Sequence, residues 1–174
     1  MITINKLNRF LELLEDHSPK DWSWEANRRN RFWYVQYHTS RPPFRVRMEF
    51  NEEMLYIQYI LTDFRVRSSC TLALYRVLLR LNEEISLLKF GLTAHGYVSL
   101  MGELPAAQFT FNTFQNLMYL VVHYLENLYW EIGIVAESPD LAPFLTSNED
   151  ALTAFDREFN SLVQTVKRES LAST

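Results

Sequence analysis

Cysteine is nearly missing from this sequence: Cys70 stands alone among 174 residues. No intrachain disulfide can form, and no cysteine-built zinc site fits within one chain. Such usage agrees with a reducing compartment, so a cytoplasmic protein is expected. Glycine and proline are also scarce, at four and six residues, which argues against a loop-rich or disordered chain. Neither a glycine-rich phosphate loop nor a Gly-x-Ser-x-Gly nucleophile elbow occurs. No uncharged apolar run reaches the roughly 18 residues that suggest a membrane span. The nearest stretch, Phe109–Leu125, is interrupted by Gln115, Asn116 and His123. The N-terminal MITINKLNRFLELLED carries charges throughout and lacks the apolar centre of a signal peptide. Lysines number four and the net charge is −4, a balance that disfavours nucleic acid as a partner.

What the chain has in quantity is aromatic side chain: 12 Phe, 9 Tyr and 4 Trp. With 48% hydrophobic residues, 174 residues suffice for one well-buried core and are short for two, so a single domain over 1–174 is expected. Charge is unevenly spread. Between Arg28 and Arg67 eight arginines face four acids, whereas between Asn82 and Asn160 eleven acids face two bases. This polarity can steer a charged partner or orient self-association, or simply give each element a solvated face.

Hydrophobic periodicity orders the elements. Ile4, Leu7, Phe10, Leu11 and Leu14 have helical spacing, and His17-Ser-Pro stops that helix. A connection through Trp22 and Trp24 leads to FWYVQYHT (32–39), rich in strand formers. FRVRMEF (44–50) alternates without a fault, placing Phe44, Val46, Met48 and Phe50 on one face and Arg45, Arg47 and Glu49 on the other. MLYIQYIL (54–61) follows after a short turn and completes a three-stranded meander. From Ser69 the period changes, with Leu72, Tyr75, Leu78, Leu79 and Asn82 at helical spacing to about Glu84. ISLLKFGL and YVSLMGEL then read as a hairpin whose turn, Thr93-Ala-His-Gly, lets Gly96 take positive φ. Pro105 ends it, and Thr110 or Asn112 can cap a long helix to about Ala136. Leu152, Phe155, Phe159, Leu162 and Val166 form one stripe of a further helix over 148–170.

These elements predict an α+β fold: a five-stranded antiparallel sheet in the order α-βββ-α-ββ-α, with helices on one face and an additional C-terminal helix. WYVQYHT, FRVRMEF, MLYIQYIL, LYRVLLRLNEEISLLKFGLTAHGYVSLMGEL and the helix from Phe111 together resemble the YbjN family and its relatives, the type III secretion chaperone-like proteins. Leu81-Asn82 at the helix end, Lys89-Phe90 in the fourth strand and Gly96 before the fifth carry the likeness, while His95 departs from it. The resemblance spans about residues 2–136 and leaves 148–170 outside. It implies a small acidic homodimer that holds partly unfolded client segments, or a regulator, and supplies no catalytic residues.

Candidate chemistry is sparse. His123 and Glu126 form one His-x-x-Glu where a di-iron bundle needs two plus further glutamates, so no metal and no other cofactor is expected. Glu83 and Glu84 are adjacent and diverge on a helix, which spoils them as an acid–base pair. Cys70 at a helix start could favour thiolate, but no Cys-His motif accompanies it. Binding is better served. Trp22, Trp24, Arg28, Arg29, Arg31, Trp33, Arg45 and Arg47 compose an aromatic and basic group of the residue types that dominate protein–protein hot spots. The plainer reading, that the tryptophans close one edge of the core, stands beside it. Helix 111–134 is apolar on nearly all sides and needs a cover, either the final helix or a second subunit in a homodimer. The sequence thus points to a non-enzymatic protein-binding domain, a chaperone, assembly or regulatory factor. The alternative is a small-molecule or lipid-ligand domain with a pocket between sheet and helices.

Overall fold

The computed structural model of the chain describes residues 2–19, 23–29, 32–38 and 44–141. Trp22, Arg31 and the predicted helix 148–170 lie outside these residues. Helix α1 (Ile4–His17) begins at Thr3, whose side chain accepts the Lys6 N–H, and ends where Ser18 Oγ donates to the Leu14 carbonyl at 2.6 Å. Six strands follow the stated order β1 (Ser23–Arg29), β2 (Phe32–His38), β3 (Phe44–Phe50) and β4 (Met54–Leu61), then β5 (Leu88–Leu92) and β6 (Val98–Pro105) after helix α2 (Thr71–Glu84). Helix α3 (Phe111–Glu137) comes last among the long elements of the described residues. The strands make one sheet in the order β1-β2-β3-β4-β6-β5.

The predicted five strands are therefore six. The extra one, β1, pairs antiparallel with β2 from Ser23 opposite His38 to Arg29 opposite Phe32. SWEANRR carries a single strong strand former, so its sequence shows no strand signal. Pairing with a complete, aromatic-rich neighbour decides its conformation instead, which is how context overrides propensity at a sheet edge.

Contacts along the chain define two compact units. The first holds residues up to Ile60, Ile85–Gly91 and Ser99–His123, and so most of the sheet, α1 and the first half of α3. Its core lies under the inner face of the sheet. Trp24, Trp33, Val35, Tyr37, Val46, Met48, Leu55 and Ile57 are buried there, alternating with exposed or half-buried neighbours. α1 seals this face: Asn8 Oδ1 accepts Trp33 Nε1–H at 3.1 Å, and Ser18 Oγ accepts Trp24 Nε1–H at 2.7 Å. Phe10 packs between Phe109 and Phe111, with centroids at 4.9 and 5.7 Å. Thr110 caps α3, accepting from Thr113 N–H while its own N–H donates to Thr113 Oγ1.

The second unit holds Leu61–Glu84, the turn Leu92–Val98 and the chain from Tyr124. A 3-10 turn, Ser68–Cys70, leads into α2, so Ser69, an N-cap candidate by sequence, lies inside that turn and the helix starts at Thr71. The hairpin turn is tied by Thr93 N–H to the Tyr97 carbonyl at 2.8 Å, and Gly96 has φ +78° as its turn requires. Phe64 wedges against the second half of α3, 4.6 Å from the Tyr129 ring centroid, while Tyr129 hydroxyl donates to the Asp63 carboxylate. The Phe64 ring covers Gly133 so closely that a Cβ there would overlap it.

Two substitutions test this packing. Gly133→Ala should destabilise by about 1–3 kcal/mol through overpacking against Phe64, despite the better helix propensity of alanine. A Phe64→Leu background should remove most of that loss in thermal or denaturant unfolding. At Leu87, φ is +63° and the side chain is 64% exposed. Leu87→Gly should therefore gain about 1 kcal/mol by relieving left-handed strain, while Leu87→Ala, which keeps a Cβ, should change little.

Candidate functional site

The alternation of the meander decides which residues can share a surface. On the inner face, Trp33 stands opposite Met48, and Met48 opposite Ile57. One residue along, Tyr34 stands opposite Arg47, and Arg47 opposite Gln58, forming a row on the outer face. The next row pairs Gln36 with Arg45, and Arg45 Nη2–H donates to Gln36 Oε1 at 3.1 Å. Arg47 lies with its guanidinium carbon 3.9 Å from the Phe32 ring centroid and reaches Glu49 at 3.4 Å. Tyr56, opposite Glu49, is exposed. Arg45 and Tyr56 are exposed and Phe32, Tyr34, Arg47 and Glu49 half-buried, and together they make an aromatic and charged surface.

Of the residues grouped by the sequence, Arg45 and Arg47 belong to this surface. Trp24 and Trp33 do not share it: both are buried, Trp24 with its ring centroid 4.8 Å from that of Tyr37 and Trp33 5.1 Å from that of Phe50, each pair tilted. Arg28 and Arg29 take register opposite Trp33 and Phe32 on the edge strand. Trp22 and Arg31 fall outside the described residues. The sequence reading missed Phe32, Tyr34 and Tyr56 as surface aromatics. Strand parity was the available signal, because Phe32 and Tyr34 alternate against Trp33 and Val35.

Long helix α3 presents Asn112, Asn116, His123 and Asn127 as exposed positions, while its large apolar residues are buried or half-buried. Cys70 is fully buried, which removes its thiol from solvent. Among the described residues no group of three or more His, Cys, Asp or Glu could hold a metal ion, and His123 with Glu126 makes no such group. None of the described helices is long and apolar enough to cross a membrane. In the second unit a cleft of about 640 Å³ is lined by Arg65, Ser68, Thr71, Tyr75, His95 and Tyr97, among others.

No family model matches the chain, and no curated protein matches it. A solved structure described as "Crystal Structure of the ExsC-ExsE Complex" is similar over 76% of this chain and 98% of that chain, with 17% identity and a TM-score of 0.47. A likeness that distant carries no argument about what this chain does.

The split between the two faces has a measurable consequence. Trp33→Ala should cost about 3–5 kcal/mol of stability, as expected for a buried tryptophan. Arg45→Ala should stay within about 0.5 kcal/mol, because its side chain stands on the solvated face. Denaturant titration of both variants checks the contrast.

Proposed function

We propose that this chain is a non-enzymatic protein-binding domain, a chaperone, assembly or regulatory factor that holds a segment of a client protein against the outer face of its sheet. The observation that carries this reading is the outer row itself, where Phe32, Tyr34 and Tyr56 stand among Arg45 and Arg47. Aromatic rings and arginine supply large contact area with few rotatable bonds, the combination enriched at interface hot spots. The guanidiniums select acidic neighbours in the client, and the rings take its apolar side chains. A sheet face with side chains in regular rows suits an extended segment more than a small molecule. The resemblance to type III secretion chaperone-like proteins leads to the same class of activity. So does the acidic total charge, with its positive charge concentrated between Arg28 and Arg67.

A second reading, a ligand-binding domain, has one observation in its favour. The cleft beside Tyr75 and Tyr97 has the volume of a small-molecule site, with Arg65 and His95 as polar contacts.

Charge reversal separates the two. Affinity capture from native extract should yield a specific partner with the unaltered chain and lose at least roughly tenfold of it with Arg45→Glu and Arg47→Glu combined. Arg45 is exposed, but Arg47 is half-buried over Phe32 and beside Glu49, so the double variant should lose some stability while keeping its circular dichroism spectrum. Unchanged recovery would move the binding site away from the sheet. Absence of any partner from both samples would favour the ligand reading.

A further inference from the structure

Every described residue that lines the 640 Å³ cleft belongs to the second unit. One wall is the segment that enters α2, with Arg65, Ser68 and Tyr75; the other is the β5–β6 turn, with His95 and Tyr97. That turn is held from within. Thr93 N–H donates to the Tyr97 carbonyl at 2.8 Å, Tyr97 N–H to Thr93 Oγ1 at 3.1 Å, and Gly96 N–H to the Thr93 carbonyl at 2.9 Å. The backbone that carries His95 and Tyr97 is therefore already ordered, which lowers the cost of binding.

Charge in the cleft has one sign. The chain carries 21 acids against 17 bases, yet no Asp or Glu is among the described residues that line it. Two acids come close in sequence or in space, and both are engaged elsewhere. Asp63 accepts the Tyr129 hydroxyl, and Glu137 accepts the Arg65 backbone N–H at 3.4 Å. Among the described residues no carboxylate pairs with the Arg65 guanidinium, so its charge stands unneutralised at a concave surface. Beside it, Tyr75 and Tyr97 are 47% and 38% exposed, rings large enough to gain from a cover. A neutral ring in this cleft would take the tyrosines and leave Arg65 without a counter-charge. A bare anion would do the reverse.

We propose that the cleft binds a small aromatic oxyanion, with its ring against Tyr75 and Tyr97 and its carboxylate or phosphate on Arg65. The guanidinium offers parallel N–H donors that match two oxygens of such a group, and the exposed Ser68 hydroxyl and His95 imidazole add polar contacts. The volume is that of a small-molecule site. This inference rests on the ligand reading of the cleft and gives it a chemical class; it leaves the sheet face to its own partner.

Isothermal titration of the full chain with naphthyl phosphate, naphthol and inorganic phosphate tests it. Naphthyl phosphate should bind at least roughly tenfold tighter than either of the others. Arg65→Gln should remove that advantage over naphthol, and Tyr97→Ser should remove the advantage over inorganic phosphate. Both side chains are exposed, so circular dichroism should be unchanged, and either variant suffices if the other fails to fold. Binding should persist in the Arg45→Glu and Arg47→Glu double variant, which excludes the sheet face as the site. Naphthol binding as tightly as its phosphate would overturn the proposal and leave the ligand reading standing. No binding of any probe would overturn both. Inorganic phosphate binding equally well, or an advantage indifferent to Arg65→Gln, would also overturn it.

Discussion

Strand register is the constraint on which the rest depends. Val35 opposite Val46 and Met48 opposite Ile57 place every apolar row of the meander on one face. A slip of one residue would carry Trp33, Val35 and Met48 into water and draw Tyr34, Arg45 and Arg47 into the core. Burying two guanidiniums without partners is far costlier than losing one apolar contact, so the register is held from both sides. α1 reads the same register through two indole hydrogen bonds, from Trp33 to Asn8 and from Trp24 to Ser18. The outer face is then a consequence: whatever alternates against the core must stand in solvent, and here that is aromatic and arginine.

How much of this was legible in the sequence follows from how each element encodes itself. β3 alternates without a fault and was readable to the residue, the turn at Gly96 was readable too, and the long α3 was readable to within a residue or two, with Thr110 and Asn112 both open as its cap. β1 was not, because Ser23–Arg29 has neither alternation nor strand propensity and folds by pairing with β2. Nearness along the chain also misled. Trp24 and Trp33 look like partners of Arg45 and Arg47 by composition, yet parity sends them to opposite faces of the sheet. α2 shows the converse difficulty. Leu72, Tyr75, Leu78 and Leu79 all fit a helical period, but only the folded chain shows that Leu78 is buried and the other three are not. A helix with two apolar stripes does not declare which one faces its own core.

The two surfaces carry different physical signatures. The sheet face mixes rings with charge, with Arg45 and Tyr56 exposed. The α2 face is more apolar, with Leu72, Tyr75 and Leu79 all exposed. Strain is stored elsewhere, at Leu87, where a left-handed leucine connects α2 to β5 with its side chain largely in solvent.

Photo-crosslinking from single positions tests the central claim most directly. A photoreactive phenylalanine analogue placed at Tyr34 or at Val35, adjacent residues of β2 on opposite faces, would be irradiated in native extract. The account requires protein adducts from position 34 and none from position 35, which is fully buried. Equal labelling from both positions, or no adduct from position 34, would contradict it.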